Sequence, residues 1–267
     1  MSIPIPSSSG TCLITGASAG IGSEFARQMA ERGYNVTLAA RRIERLTELA
    51  AELEEKHNVR AIAVACDVTD ATQRQELLDS IEARGDHVEI LINNAGIGGE
   101  AKFLDDTVDF QLQQIEVNVV ALTALTHLVL PPMIEKGAGA ILNVSSTASF
   151  QPIPRQAVYA ATKSYVLSFS QALHQELKGS GVSITVLCPG PTRTEFFGEK
   201  QESIEDDSPD WAWQSAEDCA REGIDALFKQ KRVHIPKAVN RVGAYSGKLA
   251  PTAVTLEVLD RFWPMGK

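Results

Sequence analysis

Six short apolar runs, separated by segments of helical period, limit what this chain can fold into. They read TCLITG (11–16), NVTLAA (35–40), RAIAVACDV (60–68), VEILINNAG (88–96), GAILNVSS (139–146) and VSITVLCPG (182–190). Amphipathic stretches such as IERLTELAAELEEKH and ATQRQELLDSIEARG lie between them. This alternation predicts βαβ units, and the near-continuous apolarity of each run marks strands buried on both faces of a parallel sheet. The expected fold class is α/β: a Rossmann-like doubly wound sheet flanked by helices, with its ligand site at the carboxyl ends of the strands. No repeat or low-complexity linker divides residues 1–267, which read as one domain.

Three segments depart from the alternation. MSIPIPSSSG (1–10) has neither the basic nor the apolar region of a secretory signal and reads as a short flexible arm. Residues 195–215 carry seven acids, one lysine and four large aromatics; they read as a strandless lid over a substrate. After a plausible helix, AEDCAREGIDALFKQ, the segment RVHIP reads as a last short strand, followed by an extension, 238–267, with weak amphipathic character and no assigned role.

Chemistry enters at LITGASAGIGSEFARQMAERG, a strand, a glycine turn and a helix in direct succession. Gly16, Gly20 and Gly22, with Ser18 and Ile21 in the same turn, let the backbone approach a pyrophosphate lying at the positive end of a helix. A site for NAD would place an acid at the end of the next strand, to hold the ribose 2′-hydroxyl. Here Ala40 is followed by Arg41 and Arg42. Cations in a helix's first turn oppose its macrodipole; a 2′-phosphate matched to the planar guanidinium fork would offset that. The expected cofactor is NADP(H), with Arg41 on the phosphate and Arg45 a solvated surface charge.

Tyr159 and Lys163, in YAATKSY, stand four residues apart and so share a helix face. A lysine ammonium beside a phenol favours the phenolate, giving an acid or base usable nearer neutral pH than a free tyrosine.

Placed in order, these motifs resemble the short-chain dehydrogenase/reductase family in its compact form, from Thr11 to about Pro236. The family's Thr-Gly-x-x-x-Gly-x-Gly is matched by Thr15–Gly22. Its adenine-side acid is matched by Asp67, followed by Val68, and its Asn-Asn-Ala-Gly by Asn93, Asn94, Ala95 and Gly96. Asn118 matches the structural asparagine of the long fifth helix. Ser146, thirteen residues before Tyr159, matches the serine; Ser145 could also reach the substrate, and only the offset selects its neighbour. Pro189, Gly190, Thr192 and Thr194 match the stretch that meets the nicotinamide.

The resemblance implies an NADP(H)-dependent carbonyl reductase or alcohol dehydrogenase. Tyr159 would be the general acid or base, Ser146 the hydrogen-bond donor to a developing alkoxide, and Lys163 the group that lowers the tyrosine pKa and grips the ribose. Asn118 would hold a water linking Lys163 to solvent. An NAD-dependent alcohol dehydrogenase, or a dinucleotide sensor without turnover, is the alternative. The resemblance also implies a homodimer or homotetramer, which the long apolar stretch 109–136 fits.

Composition narrows the partners. A net charge of −9 argues against a nucleic-acid footprint, which needs clustered positive charge. No run of about 18 apolar residues suggests a membrane span. The four cysteines, Cys12, Cys66, Cys188 and Cys219, show no paired spacing and fit a reduced, cytoplasmic protein; the five histidines show no metal-ligand spacing, and no metal is expected. Phe150, Ile153, Phe196, Phe197, Trp211 and Trp213 suggest an apolar pocket for a neutral carbonyl or alcohol. The alternative role is packing under the lid, which weighs at least equally for Trp211 and Trp213.

Overall fold

The computed structural model describes residues 3–196 and 213–262. Its frame is a seven-stranded parallel sheet in the order β3-β2-β1-β4-β5-β6-β9. The strands are β1 (Gly10–Thr15), β2 (Val36–Ala40), β3 (Ala61–Ala65), β4 (His87–Asn93), β5 (Gly139–Val144), β6 (Val182–Leu187) and β9 (Val233–His234). Every residue of β1, β2, β5 and β6 is buried, because helices cover both faces. This explains why these runs lack the alternation of a half-exposed strand. The expected doubly wound sheet and the short last strand are both present.

On one face, α1 (Gly20–Glu31), α2 (Ile43–His57) and α7 (Ala216–Phe228) bury Phe25, Met29, Leu46, Leu53, Ile224 and Leu227. On the other, α3 (Ala71–Glu82) and a long helix contribute Leu77, Ile81, Leu125, Val129 and Met133. The long helix runs as α4 (Val108–Ile115), a π-helical segment (Glu116–Ala121) and α5 (Leu122–Lys136). Local chemistry sets several boundaries: Asp70 caps α3 by accepting from Thr72 and Gln73 amides, and Ser215 caps α7 through the Asp218 amide. Strand order reverses between β1 and β4, the switch point where such sheets bind ligands.

Several findings differ from the sequence expectations. By length, and by a mean hydropathy of 1.7 over its most apolar 18 residues, Val108–Lys136 could cross a membrane, although no unbroken apolar run announces it. Its inward face is nevertheless built into the fold: Asn118 and Thr126 are buried and hydrogen-bonded to Ile97, Thr162 and Asn93. Residues 3–9, expected as a flexible arm, are fastened beneath the sheet. Tyr34 donates to the Pro4 carbonyl (2.6 Å), Asn35 to that of Ser7 and Arg60 to that of Ser8, while Ser7 donates to Glu89. The segment 195–215, expected to lack a strand, ends in β8 (Gln214–Ser215), which pairs in parallel with β7 (Thr192–Arg193). The extension folds into two helices, α8 (Ala238–Leu249) and α9 (Thr252–Phe262).

Candidate active site

The carboxyl edge of the sheet opens into a cavity of about 840 Å³ that collects residues from nearly every strand end. One side begins at the glycine turn. Gly16 has φ +66°, and a Cβ there would lie 2.9 Å from the Ala95 Cα; a Cβ on Gly22 would overlap the Gly16 carbonyl. Only glycine fits either place. Asn94 fixes the turn from the next strand, its amide donating to the carbonyls of Thr15 (3.0 Å) and Gly16 (3.2 Å). The first turn of α1 contains no acid and its N-terminus has no side-chain cap, so its amides suit an anion. This cradle fits a dinucleotide pyrophosphate. Gly16, Ser18, Gly20, Ile21, Arg41, Arg42, Asp67, Val68, Asn94, Ala95 and Gly96 all line the cavity, whereas Gly22 lies behind it as a packing residue.

At the end of β2 the chain passes from Ala40 to the exposed Arg41 and Arg42 with no acid between. Arg42 donates to Ser18 Oγ (3.0 and 3.2 Å) and pairs with Glu195 (3.1 Å). Arg45, expected to be solvated, meets both Glu195 oxygens at 2.8 and 3.1 Å. Asp67 accepts from the Thr69 amide and hydroxyl.

The candidate reacting groups cluster beyond Gly96. Ser146, in extended backbone at the end of β5, accepts from the Ala148 amide (3.1 Å) and caps a short 3-10 turn (Thr147–Phe150). Ser145 points away, donating to the Lys163 carbonyl at 2.7 Å. Tyr159 and Lys163 project from α6 (Ala157–Glu176), with Lys163 Nζ 5.7 Å from the phenol ring centre. Lys163 is buried and donates to the Val144 carbonyl (3.1 Å). Asn118, held by the π-helical segment, bonds both the amide and carbonyl of Ile97 (3.0 and 2.8 Å) and Thr162 (3.0 Å). It does not line the cavity but stands behind Gly96, where an added Cβ would lie 3.2 Å from Lys163 Nζ and 3.3 Å from Asn118 Oδ1. Such π-helical insertions are frequent at functional sites.

The expected electrostatics is reversed. Burial pushes the Tyr159 phenol up to about 12, against the opposing hydrogen bond from Ser146. Burial also lowers Lys163 to about 8, with a smaller opposing effect from Cys188. The helical spacing does bring the two side chains together, but burial dominates the ionisation of each.

Pro189, Gly190, Thr192 and Thr194 line the next stretch of wall, with Thr192 held by Gln214 (3.1 Å). The cavity is completed by Gln113, Val117, Gln151, Ile153, Gln156, Phe196 and Trp213, and by Val239, Asn240, Gly243, Ala244 and Leu259 of the extension. Phe196 packs on Tyr159 with ring centres 5.8 Å apart. Of the aromatics expected to line the pocket, Phe150 instead turns into the core against Tyr245; Phe197 and Trp211 lie outside the described residues. The extension's contribution and that of Glu195 had no signal in local sequence, since both depend on contacts across the fold.

A parallel sheet with a glycine cradle at its switch point and a serine, tyrosine and lysine beside it defines a dinucleotide-dependent oxidoreductase. A family model described as short chain dehydrogenase matches residues 10–205. The chain belongs to the short-chain dehydrogenase/reductase family. It is 40% identical to sulfoacetaldehyde reductase 2 of Chromohalobacter salexigens, over 69% of this chain and 73% of that protein. It is 34% identical to the very-long-chain 3-oxoacyl-CoA reductase of Bos taurus, over 76% of this chain and 66% of that protein, so it spans about two thirds of that relative's length. Among solved structures, a short-chain dehydrogenase from Sphingobium yanoikuyae in complex with NADPH superimposes with a TM-score of 0.79 and 34% identity, covering 89% of this chain and 92% of the other.

Proposed function

We propose that this oxidoreductase uses NADP(H) to interconvert a neutral carbonyl compound and its alcohol. The observation that carries the cofactor assignment is the end of β2: the residues that follow the strand supply no carboxylate for a ribose 2′-hydroxyl, and Arg41 and Arg42 line the cavity where a 2′-phosphate would lie. That the S. yanoikuyae relative binds NADPH agrees with this reading.

Bound in the cradle, the dinucleotide supplies or accepts the hydride. Tyr159, its phenol held protonated by burial, gives its proton to the carbonyl oxygen during reduction and takes it back in the reverse direction. Ser146 uses its Oγ to accept from Ala148 and so keeps its hydroxyl proton for the developing alkoxide. Lys163 brings positive charge beneath the tyrosine and to the ribose side of the cavity, and Asn118 positions it through the Ile97 segment and Gly96.

Substrate class is read from where charge lies. The charged lining residues Arg41, Arg42, Asp67 and Glu195 all belong to the cofactor's adenosine side, and Lys163 to the reacting centre. The far wall presents apolar and amide side chains, suited to neutral molecules. We also assign a homodimer or homotetramer, formed through the exposed Leu112, Ile115, Val120 and Leu128 of the long helix and Tyr165 of α6. Consumption of NADPH and of NADH, followed by absorbance against a panel of ketones and aldehydes, tests the assignment. Turnover preferring NADH, or a preference for anionic carbonyl substrates, would overturn it.

A further inference from the structure

Glu195 belongs to neither the glycine cradle nor the catalytic group, yet it holds Arg42, one of the two arginines assigned to the cofactor phosphate, together with the neighbouring Arg45. Its carboxylate takes a hydrogen bond from Arg42 at 3.1 Å and two from Arg45 at 2.8 and 3.1 Å. These contacts span 150 and 153 residues of sequence. They are formed because Thr194 crosses directly over the glycine turn: a Cβ on Gly20 would lie 3.0 Å from the Thr194 side chain. Glu195 is thereby delivered to the first turn of α2, where Arg42 already donates to Ser18. The two arginines hold the Glu195 carboxyl below the usual range, so it is an anion at neutral pH.

We infer that Glu195 is a specificity-determining residue that competes with the 2′-phosphate of the cofactor for Arg42 and Arg45, and so sets how strongly the protein prefers NADP(H) over NAD(H). The inference rests on the NADP(H) reading above. A phosphate dianion and a carboxylate presented to the same guanidinium groups repel each other well within the screening length of about 8 Å at physiological salt. NADPH must therefore displace Glu195 or bind beside its charge, whereas NADH, with no 2′-phosphate, meets neither demand. The carboxylate also serves the free protein: it neutralises two cations that would otherwise crowd the positive end of α2. A single side chain thus stabilises the empty site and lowers its affinity for the phosphorylated cofactor.

The test uses the full-length protein and four ligands, NADPH, NADH, 2′,5′-ADP and 5′-AMP, titrated calorimetrically at low salt and at high salt. Glu195→Gln keeps the side-chain shape at an exposed position and removes the charge. The variant should bind NADPH and 2′,5′-ADP about fivefold more tightly, the upper end for an exposed charge pair, and NADH and 5′-AMP unchanged. High salt should shrink the gain. Equal weakening of NADPH and NADH would overturn the inference and make Glu195 a strap over the bound cofactor; no change in any affinity would overturn it as well. If the wild type prefers 2′,5′-ADP over 5′-AMP and Glu195→Gln leaves that preference intact, the inference alone fails. If neither the wild type nor Glu195→Gln has such a preference, the NADP(H) reading fails and takes the inference with it.

Discussion

The proposed cofactor half and the proposed substrate half of this cavity are built by different rules. The cofactor half is assembled from strand ends and the turns after them: Gly16–Ile21 after β1, Ala40–Arg42 after β2, Cys66–Val68 after β3 and Asn94–Ile97 after β4. Each piece is a short, contiguous stretch whose geometry is dictated within a few residues. The substrate half takes Gln113 and Val117 from the long helix, Gln151 and Ile153 from the loop after β5, Trp213 from the edge of β8, and Asn240 and Leu259 from the extension. Apart from the two helices of the extension, no two of those elements are neighbours in sequence, and their approach is decided by packing. Binding a shared dinucleotide needs fixed local geometry; binding a particular substrate needs only a wall, which many sequences can supply.

If this division holds, damage to the reacting group should leave cofactor binding untouched. Tyr159→Phe keeps the ring and its contact with Phe196 while removing the transferable proton. A fall in kcat of at least about 10²-fold is expected with NADPH affinity unchanged. Stopped-flow turnover alongside cofactor titration measures both, and near-normal turnover would remove Tyr159 from the mechanism.

The second test addresses the opposite end of the cavity. Arg41→Ala should weaken NADPH by about 10- to 150-fold, equivalent to the loss of about 1.5–3 kcal/mol for a hydrogen bond to a charged group, and leave NADH within twofold. Parallel titrations with the two cofactors decide it. An equal loss for both would mean that Arg41 supports the fold rather than the phosphate.

These two halves also differ in how far sequence could reach them. The doubly wound parallel sheet, the glycine cradle and the pairing of Tyr159 with Lys163 followed from strand runs and spacing, because periodicity and backbone geometry are local properties; Ser146 was picked out by the family resemblance. The ionisation of Tyr159 and Lys163 did not follow. Helical spacing put an ammonium near a phenol, but it could not register that both sit in a desolvated pocket. Arg45 was illegible for a related reason: its partner, Glu195, is 150 residues away. The π-helical segment that holds Asn118, and the docking of α8 over the loop after β5, are likewise products of tertiary contact.

The altered ionisation gives a third test. Lys163 loses its proton as pH rises through about 8, while Tyr159 keeps its own until about 12. Between those values the acid is intact and the ammonium is not. For carbonyl reduction, kcat/KM for NADPH reports groups of the free enzyme. It should be level below pH 8 and fall above it, approaching about tenfold per pH unit. Lys163→Met should be slow throughout and lack that fall. A wild-type profile that is flat to pH 10 would mean that the charge on Lys163 is dispensable.

The smallest expected effect comes from the far wall, and it bears most directly on the comparison. Asn240 stands in α8, over Gly190, where any Cβ would overlap its side-chain amide. Its Nδ2 is buried with no hydrogen-bond partner among the described residues, a cost of about 1–3 kcal/mol for a buried donor left unsatisfied. Asn240→Ala removes that donor along with a piece of the wall. If α8 belongs to the substrate half alone, carbonyl substrates should show KM changes of about fivefold, the size of one neutral hydrogen bond gained or lost, and the Kd for NADPH should not move. The direction should depend on the substrate: compounds able to accept from Nδ2 lose affinity, and bulkier apolar ketones gain from the added room. Steady-state kinetics on matched pairs, such as hexan-2-one against methyl acetoacetate, separate the two. A parallel loss of NADPH affinity would instead show that α8 acts through Gly190 on the nicotinamide stretch, and the boundary between the two halves would then run through the extension rather than in front of it.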